Sequence, residues 1–265
     1  MKKIIAFTLS LILCLSCFAA CGNTNKDNNQ TTKTDFDEIK AKGKLVVGIT
    51  EYEPMDYKDA NGEWTGFDAE LARLFAKDLG VECEFFVIAD WGKKFMELDT
   101  KSIDAVWNGM TITEEATSNA SVSDPYVINA QVVVMKKDKI ANYATAESLK
   151  GLNIAVEEGS AGQEVANKAG LTTISKQDQA GALMEVKAGT ADACVIDITM
   201  AKAMTGEGTD YADMAAGISL SSEEYGVAFR KGSDMTAKLN SFLDKLAKDG
   251  TLKTLADKYK LTLAD

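Results

Sequence analysis

Short apolar segments of strand length alternate with amphipathic helical segments along most of this 265-residue chain. The first clear pair is the apolar run at residues 44–49, followed after a polar loop by residues 66–79, where Phe67, Leu71 and Phe75 recur at helical spacing. Strands that alternate with helices usually pair in parallel and carry the helices on the faces of the sheet. We therefore expect an α/β protein.

A second series of strands and helices begins near Leu152 and repeats the first. Residues 101–108 and 189–197 share a phrase in which Asp-Ala opens a buried strand and a polar residue, Asn108 or Asp197, follows it. The repeat predicts two lobes, each a mostly parallel sheet flanked by helices, whose strand ends face each other across a cleft. The predicted boundaries place residues 35–130 and 222–265 in lobe 1 and residues 131–221 in lobe 2.

The amino-terminal residues have the pattern of an export signal. Lys2 and Lys3 precede an apolar run too short to span a bilayer, which predicts a signal peptide over residues 1–20. Small residues then precede Cys21 in the manner of a bacterial lipobox, so we expect Cys21 to carry a lipid; a plain cleaved signal peptide is the alternative. Residues 21–34 are polar and aperiodic, which predicts a disordered tether holding the body at the outer face of the bacterial cell membrane.

Charge and composition exclude several classes of function. The formal net charge is −11, which argues against nucleic acid as a partner because its phosphates need basic patches. The chain has no histidine, which removes the commonest general base and most zinc sites. We expect no metal and no cofactor. Cys83 and Cys194 have the pattern of small buried hydrophobic residues in different lobes rather than of a disulfide.

Polar residues follow the apolar strand predicted from Ile103 to Trp107. Asn108, Gly109 and Thr111 come after it, at the expected carboxyl end of a parallel strand, where open α/β sheets bind their ligands. Gly109 permits close approach to the backbone, and Thr111 offers a hydroxyl group and an N–H. A tight strand-to-helix turn that binds nothing is the alternative interpretation.

The sequence from about Gly43 onward resembles the extracellular solute-binding proteins of amino-acid ABC transporters, the polar amino-acid class. The resemblance implies a type II periplasmic-binding-protein-like clamp, monomeric, that closes on one small solute and delivers it to an ABC permease and its ATPase. It rests on the order and spacing of Lys44-Leu-Val-Val-Gly-Ile, Gly66-Phe-Asp-Ala-Glu-Leu-Ala, Met110-Thr-Ile-Thr, Ser123-Asp-Pro-Tyr, Ala188-Gly-Thr-Ala-Asp-Ala and Glu224-Tyr-Gly-Val-Ala-Phe-Arg-Lys-Gly.

The resemblance also implies roles for individual residues. Tyr52 and Trp91 would sandwich the ligand from lobe 1, and the three polar-turn residues after the strand would bind its polar head. Ser160, at the start of a helix, would meet the ligand from lobe 2, where free N–H groups favour anionic atoms. Asp197 would accept hydrogen bonds from an ammonium group. For each residue, packing or solvation without ligand contact is the alternative.

The sequence departs from the family at the carboxylate site. Relatives usually place an arginine shortly after the Thr-Ile-Thr motif to grip the α-carboxylate, and this chain has Ala116 there. Glu157 stands where relatives usually have an apolar or amide residue, although it could be solvated at the rim, and Trp107 stands where smaller residues are common. Because aromatic faces and carboxylates attract cations, we expect a cationic or amine-bearing solute rather than an acidic one. An amine that lacks a carboxylate is the alternative to an amino acid.

Two other classes of function are alternatives to transport. Cyclohexadienyl dehydratases resemble these binding proteins, but such an enzyme needs a positioned acid or base and cationic groups for its substrate. The absence of histidine and of an arginine at Ala116 argues against it, so we expect no enzymatic activity. A sensory binding module is the other alternative, and it would act through a separate partner.

Overall fold

The structure is a computed structural model that describes residues 33–265. The predicted signal peptide, the Cys21 anchor and nearly all of the tether lie outside the described residues. No helix within the described range is both long enough and apolar enough to cross a membrane. The helices in this range are α1 Asp35–Lys42, α2 Phe67–Leu79, α3 Lys94–Asp99, α4 Glu114–Asn119, α5 Ala161–Lys168, α6 Gln179–Ala188, α7 Ile198–Met204, α8 Met235–Lys248 and α9 Thr251–Tyr259, with short 3-10 turns at Trp91–Lys93, Ile140–Asn142 and Glu147–Leu149.

Ten of the described strands form two five-stranded sheets, one in each of two lobes. Sheet 1 has the order β4-β1-β5-β14-β6 and sheet 2 the order β10-β9-β11-β8-β12. The strands are β1 Lys44–Ile49, β2 Tyr57–Lys58, β3 Trp64–Thr65, β4 Glu82–Val87, β5 Ala105–Val106, β6 Ser121–Val122, β7 Val127–Asn129, β8 Gln131–Lys136, β9 Asn153–Glu157, β10 Thr172–Lys176, β11 Ala193–Asp197, β12 Met214–Ser219, β13 Glu223–Tyr225 and β14 Ala228–Phe229.

Both sheets have a parallel half and an antiparallel half. In sheet 1, β1 runs parallel to β4 and β5, whereas β14 runs antiparallel to β5 and β6. In sheet 2, β9 runs parallel to β10 and β11, whereas β8 runs antiparallel to β11 and β12. The two-lobed α/β fold is confirmed, but the sheets are mixed rather than mostly parallel. The antiparallel strands arise because the chain enters β8 and β14 directly from the connection between the lobes, without a crossover helix.

The chain passes between the sheets through a small antiparallel pair, β7 with β13, in the register Asn129↔Glu223 to Val127↔Tyr225. The sequence pattern predicts a long β-branched run from residues 126 to 135 that crosses from one lobe to the other. The structure divides it at Ala130, so that one β-branched run supplies β7 to the connection and β8 to sheet 2.

The repeated Asp-Ala phrases occupy equivalent places in the two lobes. The Asp104 carboxylate accepts a hydrogen bond from the backbone N–H of Val46 at 2.8 Å in sheet 1. The Asp192 carboxylate accepts one from Asn153 at 3.0 Å in sheet 2. Each aspartate therefore fixes the start of a strand to the neighbouring strand. The polar residues Asn108 and Asp197 lie at the other, carboxyl end of the same strands.

Candidate ligand-binding site

A cavity of about 440 Å³ lies between the lobes. Its walls come from the turn after β5 and the start of α3 on one side, and from the ends of β9 and β11 and the start of α5 on the other. Its volume falls within the range of small-molecule sites, so one solute of amino-acid size fits. Seven of the residues predicted from the sequence line it, namely Trp91, Asn108, Gly109, Thr111, Glu157, Ser160 and Asp197.

The turn after β5 is held in a single shape by its neighbours. Gly109 has φ +56°, and a Cβ atom there would lie 2.7 Å from the ring of Tyr52, so glycine is required both by conformation and by space. Its N–H donates to the buried Asp68 carboxylate at 2.6 Å. Asn108 accepts a hydrogen bond from the backbone N–H of Thr50 at 2.8 Å and donates to the Thr50 hydroxyl at 2.6 Å. These contacts preorganise the lobe 1 wall.

Two of the predicted polar groups have partners inside the protein. The Thr111 hydroxyl donates to the Glu223 carboxylate at 2.9 Å. The Ser160 hydroxyl caps α5, because it accepts from the N–H of Gln163 at 3.1 Å and donates to the carbonyl oxygen of Glu157 at 2.8 Å. Ser160 therefore shapes the start of α5, which borders the cavity and carries the partial positive charge of a helix amino terminus.

Asp197 is the most heavily hydrogen-bonded side chain of the lobe 2 wall, and it is only 4% exposed. Its carboxylate accepts from the Gln131 amide at 2.7 Å and from the Tyr225 hydroxyl at 2.9 Å. The side-chain amides of Asn129 and Gln179 also donate to it. This network holds the carboxylate in one orientation at the cavity wall.

Glu157 lies in the same wall and is also 4% exposed. Burial raises the pKa of Glu157 to about 8, and the negative charges of Asp197 and Asp178 add to the effect. Burial raises the pKa of Asp197 to about 7, with Glu223 adding to it. Burial and like charge both disfavour the ionised carboxylates, and the attraction of a positive group in the cavity would offset this cost. This wall therefore favours a cation.

The aromatic residues divide between cavity and core. Trp91 lines the cavity and is 7% exposed. Tyr52 lies behind Gly109, outside the cavity lining, so Trp91 has no aromatic partner there and the expected sandwich is absent from this arrangement. Trp107 is also outside the lining; it is fully buried and packs edge-on against Phe75 with ring centroids 6.1 Å apart.

Neither arginine of the described residues reaches the cavity. Arg230 pairs with Asp35 at 3.1 Å and with Asp104 at 3.3 Å. Arg73 donates to the carbonyl oxygen of Trp64 at 2.6 Å. Ala116, at the position where the family resemblance implies an arginine, is 1% exposed in the first turn of α4.

The sequence reasoning missed Lys94, which lines the cavity and is 4% exposed. Its position carried a usable signal, because it falls three residues after Trp91 and four before Leu98 on the apolar face of a helix. A lysine at such a position is unusual. Four side-chain amides of the lining were likewise not predicted as site residues, namely Gln131, Gln163, Asn167 and Gln179.

A two-lobed α/β molecule with a polar, solute-sized cavity between its lobes has the architecture of the clamp-like binding proteins. Residues 45–262 match the bacterial extracellular solute-binding proteins, family 3, and the chain belongs to that family. It is a ligand-binding receptor of an ABC importer for a small amino-acid-like solute, and it acts outside the cell membrane.

Similar proteins cover nearly all of the described residues. The L-cystine-binding protein TcyJ of Escherichia coli (strain K12) is 31% identical over 84% of this chain and 85% of its own length. The arginine-binding extracellular protein ArtP of Bacillus subtilis (strain 168) is 30% identical over 98% of both chains. Among solved structures, a mutant of ArgBP from T. maritima has 36% identity and a TM-score of 0.79 over 85% of this chain and 98% of its own. The ancestral amino acid-binding protein AncCDT-1, described as a precursor of cyclohexadienyl dehydratase, has 33% identity and a TM-score of 0.78 over 84% of this chain and 98% of its own.

Proposed function

We propose that this receptor binds an amino acid with a positively charged side chain, of which arginine is the leading candidate. The observation that carries the proposal is the pair of buried carboxylates, Glu157 and Asp197, in one wall of the cavity. Two carboxylates can serve the two cationic groups of a basic amino acid, its α-ammonium group and its side chain. ArtP, a relative over almost the whole chain, is described as an arginine-binding protein.

The proposed contacts to the solute come from both walls of the cavity. Trp91 packs on the solute through its ring, and the turn after β5 and the start of α5 contact its polar atoms. Asp197 receives the α-ammonium group, and Glu157 receives the side-chain cation. Tyr52 and Trp107 do not contact the solute in this proposal, and they act only by supporting the residues that line the cavity. The proposed contact residues are Trp91, Asn108, Gly109, Thr111, Glu157, Ser160 and Asp197.

The proposed receptor has no enzymatic activity. The similarity to AncCDT-1 means that the fold alone does not decide this point. The support comes from chemistry, since the chain has no histidine and its cavity lining consists largely of acidic and amide groups, with Lys94 as its cationic side chain and no arginine. Incubation with prephenate and arogenate tests it: no turnover is expected, and a rate proportional to protein concentration would contradict the proposal.

We further propose a hinge at the β7–β13 pair between lobe 1 (35–130 and 222–265) and lobe 2 (131–221). The boundaries are supported by the strands, because sheet 1 uses residues 44–122 and 228–229 and sheet 2 uses residues 131–219. Binding of the solute to both lobes stabilises the closed arrangement. Solution scattering should show that the protein becomes more compact when arginine is added.

The proposed receptor is a monomer held at the outer membrane surface by a lipid on Cys21. Mass spectrometry of the membrane fraction should show the lipid.

Calorimetric titration of residues 33–265 tests the specificity. The panel contains arginine, lysine, ornithine, glutamine, cystine, glutamate and the amine agmatine. Arginine or another basic amino acid should bind most tightly and glutamate should not bind. Tight binding of glutamate, or exclusive binding of neutral amino acids, would contradict a cationic solute.

A further inference from the structure

Lys94 brings a buried ammonium group to the cavity. Its side chain is 5% exposed, at the start of α3. The Nζ atom donates to the carbonyl oxygen of Trp91 at 3.3 Å and, across the space between the lobes, to that of Gly159 at 3.2 Å. It also lies 5.1 Å from the ring centroid of Trp91 and 4.8 Å from that of Phe95.

These partners leave part of the ammonium group without compensation. A lysine ammonium group has three N–H donors, and the two carbonyl oxygens use two of them. The nearest carboxylate in a salt bridge is Glu115 at 4.0 Å, which is beyond hydrogen-bond length, and its side chain is 55% exposed. A buried charge is costly unless it is paired and hydrogen-bonded. Burial accordingly lowers the pKa of Lys94, although Glu115 and Glu157 oppose the shift.

The ammonium group also adjoins a second source of positive potential. Gly159, whose carbonyl oxygen it contacts, immediately precedes Ser160, the N-cap of α5. Both Ser160 and Ala161 of that helix start line the same cavity as Lys94. A free ammonium donor beside a helix amino terminus is a strong combination for an anionic group.

We propose that Lys94 binds the carboxylate of the solute, together with the start of α5, and so performs the task that the family resemblance implies for an arginine at the position of Ala116. The inference rests on the proposed function, because it requires a solute that is an amino acid. Lys94 thereby distinguishes amino acids from the corresponding amines, which satisfy Glu157 and Asp197 but leave the Lys94 charge unpaired.

The experiment compares arginine with agmatine, its decarboxylated amine, on the wild-type protein and on Lys94→Met. The wild-type protein should prefer arginine. In Lys94→Met the affinity for arginine should fall about 10- to 100-fold, the size of one charge-assisted pair, while the affinity for agmatine stays equal or rises. Lys94→Arg should keep the preference for arginine, which shows that a cation rather than a lysine shape is needed.

Lys93→Met is the matched control, because Lys93 lies in the same turn, is 59% exposed and pairs with Asp90 at 2.8 Å. It should bind both compounds like the wild-type protein. An equal loss for arginine and agmatine in Lys94→Met would overturn the proposal, since Lys94 would then only join the lobes through Gly159. A gain for both compounds would also overturn it, because Lys94 would then only neutralise Glu157.

A second pair of compounds separates this inference from the proposed function. If glutamine binds the wild-type protein and arginine does not, the proposal that the solute has a cationic side chain is wrong. Lys94 is then tested with glutamine and 4-aminobutanamide, its decarboxylated amine, with the same expected selective loss. If the wild-type protein binds agmatine as tightly as arginine, or binds only the amines, Lys94 does not recognise a carboxylate and the inference fails.

Discussion

The hydroxyl groups of Tyr52 and Tyr225 are 2.6 Å apart and hydrogen-bonded, and Tyr225 donates in turn to Asp197 at 2.9 Å. The Tyr52 hydroxyl is also hydrogen-bonded to that of Thr199, the second residue of α7. Tyr52 follows β1 in lobe 1, Tyr225 ends the connecting strand β13, and Asp197 ends β11 in lobe 2. One buried chain of hydroxyl groups therefore joins both lobes and the connection to a carboxylate of the cavity.

This row of hydrogen-bonded hydroxyl groups predicts the effect of Tyr52→Phe. Loss of the hydroxyl removes two hydrogen bonds and leaves the buried hydroxyl groups of Thr199 and Tyr225 with fewer partners. We expect the free energy of unfolding to fall by about 1–3 kcal/mol. Because one of these bonds crosses between the lobes, the affinity for the solute should also fall. Urea denaturation and calorimetric titration measure the two effects. Tyr57→Phe, at a half-buried tyrosine outside the cavity lining, is the control, and an unchanged Tyr52→Phe variant would show that the lobes do not depend on this contact.

The raised pKa values of Glu157 and Asp197 predict that the affinity for a cationic solute depends on pH. With pKa values of about 8 and about 7, both groups take up protons as the pH falls toward 6. A cation needs them ionised, so the affinity for arginine should fall with decreasing pH, by up to about tenfold per unit for each group. Titrations near pH 7.5 in phosphate and in Tris buffer should differ in enthalpy because binding releases protons. An affinity for arginine that does not change between pH 6 and 8.5 would contradict the assignment.

The buried Glu157 carboxyl should also make the unliganded fold less stable at high pH. Its pKa is about 8 in the folded chain against 4.5 for an unperturbed glutamate. Between these values the folded state holds more protons than the unfolded state, so the free energy of unfolding decreases as the pH rises. Glu157→Gln removes this loss and should be more stable than the wild-type protein by about 2–4 kcal/mol at pH 9, without this advantage at pH 4. The control Glu158→Gln, at the exposed neighbouring residue, should not show the same pH-dependent gain in stability. If the free energy of unfolding of the wild-type protein and of Glu157→Gln changed with pH in parallel, the raised pKa of Glu157 would be contradicted.

Gly109→Ala tests how tightly the turn after β5 is fixed. The added methyl group would lie 2.7 Å from the Tyr52 ring and 3.1 Å from the Tyr225 ring, at a residue with φ +56°. We expect a loss of about 2–4 kcal/mol from strain and overpacking, together with weaker solute binding. Gly43→Ala is a matched control, because Gly43 also has positive φ, +72°, but nothing lies within 4 Å of its Cβ position. It should show the conformational cost of about 1 kcal/mol alone. Equal effects at the two glycines would mean that the turn can yield.

The sequence by itself determined the α/β character, the two lobes and seven residues of the cavity wall, because each depends on local signals. Helical and strand periodicities are read within a few residues, and a polar residue after a parallel strand lies at the ligand edge wherever the strand sits in its sheet. Asn108 and Asp197 are placed by that rule, and both line the cavity. The edge strands β10 and β12 escaped prediction because an edge strand needs few apolar residues, as in the sequence TTISK of β10.

Only the tertiary structure decided which face or partner each remaining residue meets. Trp107 follows a strand of two residues, and the pairing of that strand with β1 and β14 directs its ring toward Phe75 rather than toward the cavity. Lys94 is buried because Gly159, 65 residues away in the chain, closes over its ammonium group. Tyr52 is withdrawn behind Gly109 by bonds to Thr199 and Tyr225, which lie more than 140 residues along the chain. Contacts between residues so distant in sequence leave no periodic trace, since they arise only when the chain has folded.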